Sequence, residues 1–143
     1  MCPLEYTIQK LSQLAGVSTR TLRYYDQIGL LKPAGRSASG YRIYTEAEVD
    51  KLQQILFYRE LGVNLECIKD ILDMSSFDVL KALKEHREKL LEKRAQMNLL
   101  IENVEKTIAS KEGRIKMKDE EKFEGFKKEL IADNEEKVGP DLK

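Results

Sequence analysis

The polar side chains with the clearest potential for chemistry lie near the start of the sequence, in residues 18–31. Ser18 is a favoured helix N-cap and Gly29 is typical of the position just past a helix end, so the stretch predicts a helix. One face gathers side chains that bind phosphate oxygens and base edges: Thr19, Arg20, Arg23, Tyr24 and Gln27. The opposite face, with Leu22, Tyr25 and Ile28, can pack inward. The pattern predicts a DNA-recognition helix; the alternative is a surface helix that is merely basic.

Charge is unevenly distributed along the chain, although the formal net charge is zero. Up to Tyr44, only Glu5 and Asp26 are acidic, against a larger basic set: Lys10, Arg20, Arg23, Lys32, Arg36 and Arg42. From Asp119 onward, acidic residues dominate. A basic N-terminal part and an acidic C-terminal part predict contact with a polyanion at one end of the protein only.

The segments around the basic helix predict a winged helix-turn-helix. Residues 6–15 predict a first helix that Thr7 can cap, and Gly16 gives the backbone freedom of a tight turn between two helices. Residues 36–44 follow the basic helix and alternate in polarity behind a Ser-Gly turn, which predicts a small β-hairpin, or wing. Its candidate DNA contacts are Arg36, Tyr41 and Arg42. The alternative is an ordinary surface hairpin whose arginines keep it soluble.

Two further helices are expected to complete the core beneath the helix-turn-helix. Thr45 and Glu48 have the spacing of a capping box, which starts a third helix ending near Leu61. Asn64 can cap a fourth helix with an apolar stripe: Leu65, Ile68, Ile71 and Leu72.

Arg59, near the end of the third predicted helix, is a further candidate for phosphate contact. A surface pairing of Arg59 with Glu60 or Asp70 is nearly as well supported by the sequence.

A long uninterrupted helix is predicted from about Phe77, because no Gly or Pro occurs before Gly113. Its apolar positions repeat in heptads and form a candidate dimerisation seam: Leu83, Leu90, Met97, Ile101, Val104 and Ile108. Arg87 and Arg94 weaken the first half of this seam, or make that half contact the head domain instead. A helix of this length cannot bury such a stripe on the small head alone, so the pattern predicts a homodimeric coiled coil.

The C-terminal residues 114–143 are highly charged and have few apolar anchors. Phe123, Phe126 and Leu130 keep helical spacing, which predicts an amphipathic helix over residues 118–136. No apolar run reaches membrane-spanning length and the N-terminus has no signal-peptide core, so the expected compartment is the cytosol.

No constellation of catalytic or metal-binding residues stands out, so neither an enzyme nor a cofactor is expected. Cys67 lies in an apolar stripe and is expected to be buried as a small hydrophobic residue. His86 is the single histidine, and its charged neighbours predict a solvated position. Without a second histidine there is no obvious zinc set.

Four segments together resemble the MerR family of bacterial transcription regulators. Residues 17–30 (VSTRTLRYYDQIGL) match its recognition-helix pattern, and residues 40–44 (GYRIY) match its wing. Residues 52–62 (LQQILFYRELG) are similar to the TipA and Mta branch in particular, as is the tail segment 119–126. The resemblance implies a mainly α fold with a winged helix-turn-helix domain (1–74), a dimerisation helix forming an antiparallel coiled coil (75–113) and a partial or lost effector domain (114–143).

The same resemblance implies a function in transcription. The recognition helix would enter the major groove, and the wing and Arg59 would contact the DNA backbone. Two heads would bind a pseudo-palindromic operator on double-stranded DNA. Members of the family distort promoters with overlong spacers so that RNA polymerase can engage both elements. The alternative is a short repressor or competitor without a sensor domain, and a small-molecule effector is not expected for this chain.

Overall fold

The computed structural model describes residues 4–126 of the 143-residue chain. Its elements are β1 (Glu5–Thr7), α1 (Ile8–Ala15), α2 (Thr19–Gln27), β2 (Gly35–Arg36), β3 (Arg42–Thr45), α3 (Glu46–Glu60), α4 (Leu65–Asp73), α5 (Val79–Lys111) and a short 3-10 helix (Asp119–Phe123). The chain divides into two compact units, residues 1–86 and 87–143. The helical content and the single small sheet confirm the predicted mainly α, winged helix-turn-helix class.

A three-stranded antiparallel sheet with the order β1-β3-β2 lies in the first unit. Tyr6 pairs with Tyr44 on one side of β3, and Gly35 pairs with Ile43 on the other. The predicted wing is therefore present as β2 and β3. The first helix begins at Ile8 rather than at Tyr6, because Tyr6 belongs to a strand. This three-residue strand pairs with a distant segment and leaves no local pattern in the sequence.

Side chains cap the first four helices at the predicted positions: Thr7, Ser18, Thr45 with Glu48, and Asn64. The Thr7 hydroxyl accepts a hydrogen bond from the Lys10 N–H at 3.1 Å. The Glu48 carboxylate accepts one from the Thr45 N–H at 2.7 Å. These bonds satisfy N–H groups that have no partner within their own helices, so they fix where each helix begins.

The core of the first unit contains side chains from α1, α2, β3, α3, α4 and the loop after α2. Its fully buried members are Leu11, Leu22, Tyr25, Leu30, Leu31, Tyr44, Leu52, Ile55 and Ile68. The predicted inward residues of the recognition helix, Leu22 and Tyr25, are thus buried, whereas Ile28 is half-buried. This core supports α2 from below and leaves its polar face at the surface.

The long helix α5 spans 33 residues, or about 50 Å at 1.5 Å per residue. Gly113 follows its end with a φ of 80°, a left-handed conformation that glycine adopts without steric cost. The predicted end is confirmed, and the start lies two residues beyond the predicted one. Within residues 4–126, no helix has the length and apolar content needed to cross a membrane.

Residues 114–126, which we call the strap, run back along α5 in the second unit. The Asn103 side-chain amide donates to the carbonyl oxygens of Lys122 at 3.0 Å and Glu124 at 2.8 Å. The Gln96 amide donates to the Gly125 carbonyl at 2.8 Å. Met117 is buried, and its sulfur accepts from the Thr107 hydroxyl at 3.5 Å. The strap is thus held on one side of α5 by polar side chains.

The amphipathic helix predicted over residues 118–136 is not formed within its described part. The 3-10 helix Asp119–Phe123 is followed by a turn, and Phe123 and Phe126 are both exposed. Gly125, with a φ of 93°, breaks the helical path beside Leu100. Residues 127–136 of the predicted helix lie outside the described residues.

Two further expectations about single residues are wrong. Cys67 is exposed, because the buried face of α4 is centred on Ile68 and the preceding residue is rotated away by about 100°. His86 is buried, with 3% of its surface exposed. It packs against the rings of Phe57 and Tyr58, with ring centroids 5.4 Å and 4.4 Å away.

Candidate nucleic-acid interface

The recognition helix α2 is fixed at both ends by local sequence signals. The Ser18 hydroxyl accepts a hydrogen bond from the Thr21 N–H at 3.0 Å and caps the first turn. Gly29, with a φ of 77°, takes the chain out of the helix. Since Leu22 and Tyr25 are buried, the rotation of α2 about its axis is also fixed.

The outward face of α2 presents most of the predicted DNA contacts to solvent. Arg20, Arg23 and Gln27 are exposed, and 48% of the Tyr24 surface is exposed. Thr19 is half-buried, and its hydroxyl accepts a long hydrogen bond of 3.5 Å from Arg23 Nη1. This face therefore carries two guanidinium groups, a phenol and an amide that can bind phosphates and base edges.

The wing presents two of its three predicted contacts directly. Tyr41 is 71% exposed, and Arg36 is exposed with its Nη1 donating to the Gly40 carbonyl at 3.1 Å. This bond and a Gly40 N–H to Ser37 carbonyl bond of 2.9 Å close the turn of the hairpin.

The third wing residue, Arg42, is engaged within the protein. Its Nε donates to Asp26 Oδ2 at 2.9 Å, and the two side chains are only 25% and 18% exposed. This ion pair joins β3 of the wing to the last turn of α2. The hydrogen bond uses Nε and leaves the two terminal nitrogens of the guanidinium as donors for another partner.

Arg59 is likewise held by a residue of the recognition helix. Its Nη1 donates to the Tyr25 hydroxyl at 2.9 Å, while the arginine itself is exposed at the end of α3. The sequence pattern placed Tyr25 in the core, and its ring is indeed buried. Its role as an acceptor for Arg59 was not indicated.

The charges of α2 and the wing converge on the buried hydroxyl of Tyr44. Burial raises the pKa of Tyr44, and Asp26 adds to that rise. The positive charges of the recognition helix and the wing act in the opposite direction on the same pKa: Arg42, Arg36 and Arg23. Three predicted DNA contacts, from the recognition helix and from both strands of the wing, thus act on the pKa of one group.

The sequence pattern assigned no role to Asp26, whose carboxylate holds Arg42 in the structure. A signal for it was present, because Asp26 is one of only two acidic residues before Tyr44 in a basic segment. An acidic side chain in a basic segment can form an ion pair with an arginine. The partner itself could not be identified, since Arg42 lies on a different element.

The predicted dimerisation residues lie at the surface of the isolated chain. Leu90, Met97, Ile101, Val104 and Ile108 are each between 41% and 57% exposed, and Leu83 is half-buried. They form one stripe along α5, whereas the strap lies on a neighbouring side of the helix through Gln96, Asn103 and Thr107. Within residues 4–126, no group of three or more His, Cys, Asp or Glu side chains could hold a metal ion.

Two protein-family models match this chain. The model described as "MerR HTH family regulatory protein" matches residues 6–75, and the model described as "MerR, DNA binding" matches residues 49–109. The chain belongs to the MerR family. The matched segments contain α2, the wing, Arg59 and most of α5. The expected resemblance is therefore confirmed.

Individual relatives of this MerR-family chain are transcription regulators. It is 34% identical over 140 residues to the HTH-type transcriptional activator mta of Bacillus subtilis, covering 98% of this chain and 54% of that protein. It is 39% identical over 123 residues to the HTH-type transcriptional activator TipA of Streptomyces coelicolor, covering 86% and 49%. The chain spans about half the length of these relatives. Their descriptions confirm that the family is not one of enzymes.

A solved structure supports the same assignment over nearly the whole chain. The HTH-type transcriptional regulator SkgA from Caulobacter crescentus is 41% identical, with a TM-score of 0.81. The match covers 94% of this chain and 96% of that one. The similarity to mta and TipA also confirms the predicted TipA and Mta branch.

Proposed function

We propose that this chain is a sequence-specific, DNA-binding transcription regulator of the MerR type. The observation that carries the proposal is the exposed polar face of α2, which lies beside a wing that the Arg42–Asp26 ion pair joins to it. Arg20, Arg23 and Tyr24 would read base edges or bind phosphates in the major groove. The wing and Arg59 would bind the backbone on either side.

The protein would act as a homodimer through α5. An exposed apolar stripe along this helix supports the proposal, because α5 is too long for the head alone to cover it. An antiparallel coiled coil would set two heads apart on a pseudo-palindromic double-stranded operator. In this proposal the DNA-binding domain is residues 1–74 and the dimerisation helix is residues 75–113. The charged tail, a partial or lost effector domain, is residues 114–143.

The proposed mechanism is activation by distortion of a promoter with an overlong spacer. Bending and untwisting of the central base pairs would bring both promoter elements within reach of RNA polymerase. A regulator of this kind would act on the bacterial nucleoid in the cytoplasm. That this chain takes no small-molecule effector, and that it activates rather than represses, remain predictions.

The test is DNA binding by an Arg23→Ala variant. A duplex site selected from random sequence by the wild-type chain would be labelled, and its binding would be followed by fluorescence anisotropy at fixed salt. The loss of one guanidinium contact should weaken binding by roughly 1–3 kcal/mol per half-site, or about 5- to 150-fold. Lys116→Ala removes a charge from an exposed strap residue and serves as the control.

Two results would count against the proposal. The first is that the wild-type chain selects no sequence; the second is that Arg23→Ala binds the selected duplex as tightly as Lys116→Ala does. Transcription in vitro from a promoter with a long spacer then separates activation from occupation of the operator without activation.

A further inference from the structure

The ion pair between Asp26 and Arg42 joins two parts of the proposed DNA interface, the recognition helix and the wing, which are separate in the sequence. Asp26 lies in the last turn of α2, and Arg42 lies in β3. Their bond of 2.9 Å is about three-quarters shielded from solvent, and the fully buried ring of Tyr44 lies two residues along the same strand. Solvent strongly screens the attraction in an exposed ion pair. Because this pair is shielded, it holds the Arg42 side chain in place more firmly than an exposed pair would.

The neighbouring residue of α2 makes an equivalent connection. The Tyr25 hydroxyl accepts the bond from Arg59 Nη1 at 2.9 Å, so two consecutive residues of α2 each hold an arginine from another element. Both arginines keep further N–H donors after these bonds are made. Fixing a long, flexible side chain before binding removes entropy that would otherwise oppose association.

We infer that Asp26 is a positioning residue for DNA binding: it holds Arg42 through Nε so that the terminal nitrogens of the guanidinium point to a backbone phosphate. Asp26 itself does not contact DNA. The inference rests on the proposed function and deepens it, because it assigns to an acidic residue a favourable role in a basic interface.

A simpler role for Asp26 predicts the opposite effect. If Asp26 only neutralised Arg42, its carboxylate would compete with phosphate, and its removal would strengthen DNA binding. The number of phosphates that a protein neutralises is measured by the slope of log K against log salt, which changes by about 0.9 for each phosphate on duplex DNA. This slope separates positioning from neutralisation and from a purely structural role.

The experiment compares Asp26→Ala with Asp26→Asn on the selected duplex across a salt series. Both variants remove the same negative charge, but the Asn carbonyl can still accept the bond from Arg42 Nε. For each half-site, we expect Asp26→Ala to lose about tenfold in affinity, as for one hydrogen bond to a charged group, and about one unit of salt slope. Asp26→Asn should keep most of both. In an Arg42→Ala background, Asp26→Ala should have no further effect.

Arg42→Lys provides a second variant that leaves Asp26 in place. Lysine keeps the charge but lacks the planar fork that presents one nitrogen to Asp26 and the other two to a phosphate in fixed directions. We expect it to bind almost as weakly as Arg42→Ala. The inference is overturned if Arg42→Lys binds like the wild type, or if Asp26→Ala keeps the full slope or binds more tightly. The proposed function would still stand in that case, provided that Arg23→Ala binds the same duplex more weakly than Lys116→Ala does.

Discussion

The burial of His86 predicts that the folded protein loses stability as the pH falls below neutrality. Because His86 is the single histidine of the chain, this effect can be separated from other titrations by replacing one residue. Its ring lies between Phe57 and Tyr58, and its Nε2 has no hydrogen-bond partner within residues 4–126. Burial lowers the pKa of His86, and the nearby carboxylate of Glu85 only partly opposes this. The protonated form is therefore less favourable in the folded protein than in the unfolded chain.

The sign and size of the effect follow from proton linkage. Above the ordinary histidine pKa of about 6.5, both states are neutral and the group contributes no pH dependence. As the pH falls through that value, the unfolded chain binds a proton that the folded protein binds less readily, so stability decreases. In the limiting case in which folded His86 stays neutral, the loss between pH 7.5 and pH 5.5 is about 1.4 kcal/mol.

The assay is urea unfolding of the wild type and a His86→Leu variant at pH 7.5 and pH 5.5, at one fixed protein concentration. His86 is the single histidine, and all other titrating groups are common to both proteins. The wild type should lose up to about 1.4 kcal/mol more than the variant, a midpoint difference of about 0.5–1.4 M urea. His86→Gln, which is polar but does not titrate, should behave like His86→Leu. Equal losses in all three proteins would refute the burial argument.

Two further predictions concern α5. Ile101→Glu should place a carboxylate in the dimer seam and yield monomers in a sedimentation experiment. Asn98→Glu adds the same charge at an exposed position outside the seam and should leave a dimer. A wild-type chain that is monomeric at micromolar concentration would contradict the proposed dimer. Asn103→Asp should release the strap, because it deletes the amide donor to the Lys122 and Glu124 carbonyls and puts a carboxylate beside them. Trypsin should then cleave faster at Lys116, Lys118 and Lys122 than in an Asn98→Asp control, and an unchanged rate would contradict this role for Asn103.

Local signals were sufficient to predict the helices α1 to α5 and the wing. Capping residues and positive-φ glycines act within one turn of chain, so Ser18, Asn64 and Gly29 mark helix boundaries that can be identified in the sequence. The strand containing Tyr6 could not be predicted in this way, since its partner Tyr44 is supplied by a distant segment. Tertiary pairing there overrode a pattern that also suited a helix.

The misplacement of His86 has a related cause. Its sequence neighbours are charged, but neighbours along a helix point in other directions, whereas Ala82, four residues earlier, shares its face and is also buried. The spacing between these two was visible in the sequence. The sequence did not indicate that the rings of Phe57 and Tyr58 cover this face, because that contact depends on how α3 packs against α5.

The four consecutive residues 23–26 combine proposed DNA contacts with contacts that hold neighbouring elements in place. Each residue is rotated by about 100° from the last, so neighbours in sequence face different partners. Arg23 and Tyr24 are exposed, Tyr25 is buried beneath them and accepts the bond from Arg59, and Asp26 faces the wing. A change in the rotation of α2 would therefore move the readout side chains and both held arginines together. This coupling explains how a basic head can tolerate an acidic residue at its centre: Asp26 places one of the positive charges that the interface needs.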